Sequence, residues 1–166
     1  MRLSSEGIAL IKGFEGLELS AYRDKAGVYT IGYGSTRYHD GKPVRPGDRL
    51  ANEAQASAIF SNTLAQYEDA VNKGITVPLS QHQFDALVSL AYNEGAGVMH
   101  GTTIARKLNR KDYTGAANQF LVWDKITDPA TNLKVVCEDL VDRRAKERAY
   151  FLTGDTQIKC SNGQDV

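Results

Sequence analysis

Apolar positions recur along the chain with two different periods, and the change of period predicts where helix gives way to strand. Leu3, Gly7, Leu10, Ile11 and Phe14 form a helical stripe capped by Ser4 or Ser5, with Gly16 as its stop. Glu15 therefore falls at the C-terminal end of a short first helix. From Ala21 to Gly34 the chain turns to tyrosine and β-branched residues. Val28, Tyr29, Thr30, Ile31 and Tyr33 predict a strand, and Asp24 to Gly27 predict the turn before it. A second hairpin signal at Asp40-Gly41, closed by Pro43 and Pro46, predicts a small antiparallel sheet over residues 17–50.

The remainder reads as helix. Asn52-Glu53-Ala54-Gln55 resembles a capping box, and Ala56, Ile59, Phe60, Thr63, Leu64, Tyr67 and Val71 keep a period near 3.6 until Gly74. This connecting helix, about 52–73, spans roughly 30 Å. Ser80 opens another helix, with Phe84, Leu87, Val88 and Ala91 turned inward and Gly95 as its stop. Thr102 or Thr103 opens a short helix through Leu108. Asp112 opens the next, whose inward face is Tyr113, Ala116, Ala117, Phe120 and Leu121. Pro129 marks a loop, a last helix covers Glu138 to Leu152, and Gly154 releases a polar tail over 155–166. The expected architecture is a mostly helical α+β fold in one domain, residues 1–154. A β lobe at 17–50 and a helical lobe made of 1–16 plus 75–154 are joined by the connecting helix, with a groove between them.

Composition narrows the function. With 166 residues, 42% hydrophobic and 24% charged, the chain is an ordinary globular domain, and disorder and disulfide scaffolds are excluded. Twenty basic residues balance twenty acidic ones, which argues against nucleic acid as a partner. No segment approaches the roughly 18 apolar residues that cross a bilayer. Met1 to Gly7 meets polar residues at once, unlike a signal peptide, so a soluble cytosolic protein without stable membrane association is expected. His39, His82 and His100 show no ligand spacing, so neither a metal site nor a cofactor is expected. Cys137 and Cys160 read as free thiols.

The chemistry concentrates in residues 15–34. A carboxyl at a helix C-terminus meets the negative end of the helix dipole, which disfavours its ionised form. Asp24 follows nine positions later at the mouth of a hairpin, and Thr30 six positions after that on the returning strand, where its hydroxyl is placed to hold a water. One protonated and one ionised carboxyl facing a groove is what glycoside hydrolysis requires. Tyr22, Tyr29 and Tyr33 add flat amphipathic surfaces suited to sugar rings. Alone, the Glu-to-Asp spacing is weak, because such pairs arise by chance in any sequence.

The whole segment is specific. Glu15-Gly16 through Ala21-Tyr22, Asp24 and Thr30-Ile31-Gly32-Tyr33-Gly34 resembles the catalytic segment of the phage-type lysozymes, whose signature is Glu, eight residues, Asp, five residues, Thr. The similarity continues through Asn93-Glu94-Gly95-Ala96-Gly97 and Arg143-Arg144-Ala145-Lys146-Glu147-Arg148, from residue 3 to about 152. The resemblance implies a two-lobed lysozyme-like fold and a muramidase that hydrolyses the β-1,4 bond between N-acetylmuramic acid and N-acetylglucosamine. It implies Glu15 as general acid, Asp24 as the group that orients or activates water, and Thr30 as a residue that helps to hold that water. It points to Thr36, Tyr92, Asn93 and Thr102 (or Thr103) for substrate contacts and to Arg143 as a support that reaches the glutamate. It further implies a monomer acting on peptidoglycan glycan strands, held in the host cytoplasm until a holin opens the membrane, then working in the periplasm and cell wall.

Each assignment has a plainer rival. Tyr92 stands at helical spacing from Val88 and reads equally as core, and Trp123, beside Phe120 and Leu121, reads as core. The 143–148 run has the pattern of a solvated helix face with i,i+4 pairs, which leaves a role for Arg143 alone. Relatives carry glycines before the paired arginines; here Asp124 to Asp139 contains none and includes Pro129, so this loop is expected to take its own path. Two competing activities remain at this level: a lytic transglycosylase, for which Asp24 and Thr30 have no evident use, and a non-catalytic peptidoglycan-binding module, against which the intact trio argues.

Overall fold

Ser4 starts the first helix in the computed structural model by accepting a hydrogen bond from the Gly7 amide, and α1 (Ser5–Glu15) ends where Gly16 adopts φ 70°. The structure describes residues 1–164, with the side chains of 154–164 outside the description. Antiparallel strands β1 (Glu18–Arg23) and β2 (Tyr29–Gly32) follow. The register pairs Glu18 with Gly32 and Tyr22 with Thr30, so β1 carries extra residues between them. That irregularity frees the middle of β1 for a second partner: Ala21 donates to the Asp48 carbonyl at 2.9 Å and Leu50 to the Leu19 carbonyl at 2.8 Å. The Asp40-Gly41 signal corresponds to a turn closed by the Arg37–Pro43 bridge. The sheet expected over 17–50 is thus two short strands and isolated bridges.

Helix α2 (Glu53–Gly74) begins at Asn52, whose side chain accepts from the Gln55 amide; the Gln55 side chain accepts from Ala51. Ser80 and Gln83 cap α3 (Gln81–Glu94) reciprocally. Helices α4 (Thr103–Asn109) and α5 (Tyr113–Gln119) and two 3-10 turns lead to the hairpin of β3 (Lys125–Thr127) and β4 (Lys134–Val136). Where the sequence predicts only a loop around Pro129, Asp128 and Asn132 build a turn, with Asn132 at φ 58° and Asp128 donating to the Leu133 carbonyl at 2.8 Å. Helix α6 (Glu138–Gln164) runs past the stop expected at Gly154, since an interior glycine costs a helix only about 1 kcal/mol. The side chains of the tail expected at 155–166, Cys160 among them, lie outside the described residues.

The fold is mostly helical α+β with small antiparallel sheets. Helix α3 is its axis: every residue from Gln83 to Ala91 is buried, against α1, α2 and α6. A helix buried all round must satisfy its polar residues internally. Asp85 accepts from the Ser4 backbone amide and hydroxyl, the Gln81 side-chain Nε2 and the Tyr150 hydroxyl, which ties α1 and α6 to α3. Gly7 is where α1 meets this carboxylate, because a Cβ there would lie 2.4 Å from Asp85 Cγ.

A second tie joins α1 to the start of α2. Glu53 Oε1 accepts from Lys12 at 3.0 Å, Tyr33 at 2.9 Å and Ser57 at 2.5 Å. The hydroxyl of Ser57, then Lys12 and Tyr33, hold the Glu53 carboxyl down at about 2, below its ordinary 4.5. A value depressed by folding adds stability that is present above about pH 4.5 and disappears as the pH falls toward 2. Glu53→Gln should therefore lower the melting temperature at pH 7 and flatten its decline between pH 5 and 2; parallel wild-type and variant curves in thermal denaturation would contradict this.

Candidate active site

Glu15 owes its position to the end of α1. The helix stops at the residue whose side chain is wanted, and the φ 70° of Gly16 turns the backbone away beneath it. Its carboxylate, 21% exposed, accepts from Arg143 Nη1 at 2.7 Å. The Tyr92 hydroxyl donates to the Tyr33 carbonyl at 2.9 Å. Between the two side chains lies Gly34 at φ 97°, where a Cβ would come within 2.6 Å of the Tyr92 hydroxyl and 3.5 Å of Glu15 Oε2. Tyr92 is both core and site: its ring packs edge-on against Phe60 at 5.5 Å and Tyr67 at 5.2 Å, while its polar end reaches the opening. Burial, then the negative charge of Glu15, pushes its hydroxyl above the usual tyrosine range.

Asp24 and Thr30 belong to the β1–β2 hairpin. One carboxylate oxygen of Asp24 accepts from the amides of Ala26 and Val28, each at 2.9 Å, which fixes the side chain against its own turn. Thr30 is buried and donates its hydroxyl to the Val28 carbonyl at 3.0 Å, leaving the oxygen free to accept. Tyr22 is the ladder partner of Thr30, and its hydroxyl is pushed up by partial burial and by the charges of Glu15, Glu18 and Asp24.

A hollow of about 260 Å³ is lined by Glu15, Gly34, Thr36, Thr63, Gln66, Tyr67, Tyr92 and Asn93. Four sequence candidates (Glu15, Thr36, Tyr92 and Asn93) therefore share one space. It adjoins two others. A hollow of about 240 Å³ shares Thr36, Thr63 and Gln66 and adds Arg37, Tyr38 and His39. Another of about 260 Å³ shares Asn93 and adds Lys25, Glu94, Lys125, Ile126 and Cys137. Joined through these shared residues they make a trough, in which Glu15 lines the middle hollow and Asp24 and Thr30 line none of the three. Thr63 and Tyr67 of α2 were legible only as positions of a helical stripe and Gln66 not at all, and nothing in their spacing marks them as lining. Thr102 is not among the lining residues. It caps α4, donating to the Val98 carbonyl at 2.5 Å and accepting from the Ala105 amide at 3.4 Å. Trp123 packs against the core, partly buried. Among the described residues, no group of three or more His, Cys, Asp or Glu is arranged for a metal ion.

Only part of the 143–148 run is a solvated face: Ala145 and Lys146 are exposed, and Arg143 and Glu147 form an i,i+4 pair. Arg143, Arg144 and Glu147 are buried, pressed by α6 against α3. Arg143 donates to Glu15, to the Ser89 carbonyl at 3.3 Å and to Glu147 at 3.4 Å, with its guanidinium 4.6 Å from the Phe14 ring centre. Arg144 donates to Asn93 and lies 3.7 Å from Glu94. Its Nε is 2.9 Å from Glu147 Oε1 but off the line of an N–H bond, so this contact is an ion pair alone. Burial pushes both Glu94 and Glu147 above the usual carboxylate range, opposed in each by the two guanidiniums. Charge patterning along one helix cannot reveal such burial, because the partners come from α1 and α3.

Residues 12–147 match the sequence model of a family described as Phage lysozyme. The endolysin of Salmonella phage P22 is 41% identical over 154 residues, covering 92% of this chain and 99% of that one. Among solved structures, the endolysin from Escherichia coli O157:H7 phage FAHEc1 superposes with a TM-score of 0.85 at 41% identity, covering 92% of this chain and 94% of that one. The muramidase domain of SpmX from Asticaccaulis excentricus gives 0.81 at 34% identity, with 92% and 98% covered.

The close approach at Gly34 is open to test. Gly34→Ala forces a side chain into a left-handed backbone and against the Tyr92 hydroxyl, and should destabilise the fold by about 1–3 kcal/mol. A melting temperature equal to wild type would show that the contact yields freely.

Proposed function

The chain belongs to the phage lysozyme family and is a glycoside hydrolase of that family, and from this premise we propose that it is an endolysin cleaving the β-1,4 bond between N-acetylmuramic acid and N-acetylglucosamine in peptidoglycan. The observation that carries the reading is the Glu15 carboxyl, gripped by Arg143 at the wall of a trough that Thr36, Tyr92 and Asn93 also line.

In this reading the glycan strand lies in the trough between a β lobe and a helical lobe. Glu15 gives its proton to the leaving sugar oxygen as the glycosidic bond breaks. Positive charge develops on the ring, and the Asp24 carboxylate, anchored through one oxygen by two backbone amides, offsets it with the other and takes a proton from the attacking water. Thr30 holds that water by the oxygen left free when its hydrogen bonds Val28. A threonine where a nucleophilic carboxylate would otherwise stand leaves room for water on the face opposite the leaving group, so the reaction inverts the anomeric centre. Thr36, Tyr92 and Asn93 contact the sugars. The protein works as a monomer without a cofactor, waiting in the host cytoplasm until a holin gives access to the wall.

Glu15→Gln should keep the melting temperature near wild type and lose about 10²–10⁴ of the rate at which turbidity falls in a suspension of chloroform-treated cells. A folded Glu15→Gln protein that clears cells at the wild-type rate would sink the assignment. Proton NMR of the first sugar released from a defined oligosaccharide should show the α anomer, and a β anomer would mean retention.

A further inference from the structure

Arg143 poses a chemical problem for a proton donor at position 15. The donor must carry a proton when substrate arrives, yet a guanidinium lies 2.7 Å away. An opposite charge at such range favours the ionised carboxylate, unless that charge is met elsewhere. It is met one helical turn along α6. Glu147 is fully buried, reaches neither the trough nor Glu15, and has no part in the steps above. Its Oε2 lies 3.4 Å from Arg143 Nε and accepts the Ser89 hydroxyl at 2.5 Å; its Oε1 lies 2.9 Å from Arg144 Nε.

We propose that Glu147 is a positioning residue for the hydrolysis. Fixed by the Ser89 hydroxyl, it holds Arg143 by Nε and shares the guanidinium with Glu15. Nη1 is thereby aimed at the Glu15 carboxyl, and the guanidinium charge is divided between the two side chains. The inference rests on the reading of Glu15 as proton donor.

The groups around Glu147 make its charge decisive. Arg143 and Arg144 face it from its own helix, Ser89 faces it from α3, and Glu15 of α1 and Glu94 of α3 lie on the far sides of the two guanidiniums. Lys134 of β4 acts on Glu94. Around the two guanidiniums stand three carboxyl groups, so a single proton makes the set neutral. If Glu147 is ionised, that proton falls to Glu15, which is 21% exposed and opens on the trough, or to Glu94, which burial pushes up. If Glu147 is made permanently neutral, two guanidiniums are left facing Glu15 and Glu94, and neutrality is reached with Glu15 ionised. Burial pushes the Glu147 carboxyl above its usual range, and both guanidiniums and the Ser89 hydroxyl work against that shift.

The experiment records wall-hydrolysis rates from pH 4 to 9 for the wild type, Glu147→Gln, Ser89→Ala and Glu15→Gln. Glu147→Gln keeps shape and removes charge. Its maximal rate should fall at least about tenfold at pH 7 with the apparent KM for wall unchanged, and its alkaline limb should move down by about one pH unit. Ser89→Ala removes only the hydroxyl that fixes Glu147, and should move the limb the same way by a smaller step; it decides the matter if Glu147→Gln does not fold. A folded Glu147→Gln, or failing that Ser89→Ala, with the alkaline limb at its wild-type place overturns the inference. Glu15→Gln separates the two failures: if it is inactive while the limb stays fixed, only the role of Glu147 falls, and if it is active the proposed hydrolase site falls as well.

Discussion

A guanidinium shut away from water has to be answered by oxygen atoms on the spot, and Arg143 is answered from three directions. The C-terminal residue of α1, a backbone carbonyl of α3 and a carboxylate of α6 all converge on it. Glu15 and Ser89 lie 128 and 54 positions from Arg143, so the full arrangement exists only when the three helices have docked. In turn, the docking angle of α1 is what carries Glu15 to the wall of the trough. Replacing a buried ionic cluster by apolar side chains of similar volume is often neutral or stabilising. Stability alone therefore does not account for two arginines and a glutamate packed against α3.

The helix starts were open to reading because each is a local event. Ser4, Asn52, Ser80 and Asp112 all accept from an amide three residues on, and such contacts need no knowledge of the rest of the fold. Glycine stops were equally visible at Gly16 and Gly95, where positive φ is required, but not at Gly154, where the helix continues. The β1–β2 hairpin was legible for the same local reason. Its irregular register was not, since the extra residues of β1 answer to residues 48–50.

The site divides along the same line. Glu15, Asp24 and Thr30 are recognisable because they sit in one short segment of fixed spacing. Arg144 and Glu147 look like solvated helix charges and prove to be buried, because their partners on α3 are invisible in the pattern of α6. Asp85 and Ser89 interrupt the inward face of α3 in sequence, yet both are wholly buried and hydrogen-bonded. Polar residues on an all-buried helix mark the points where neighbouring helices are fastened, and a hydrophobic period counts them as breaks.

The β3–β4 hairpin stands apart from this fastening. Ile126, Leu133, Val135 and Val136 are all exposed, with Leu133 at 64%, and every strand residue lies on the surface. Yet Lys125 and Ile126 at its base line one end of the trough. That wall is anchored at two points, Trp123 and the start of α6, and owes little to the core between them. A change of length or composition in this hairpin would reshape that end of the trough and leave the packing of α1, α2 and α6 around α3 as it is.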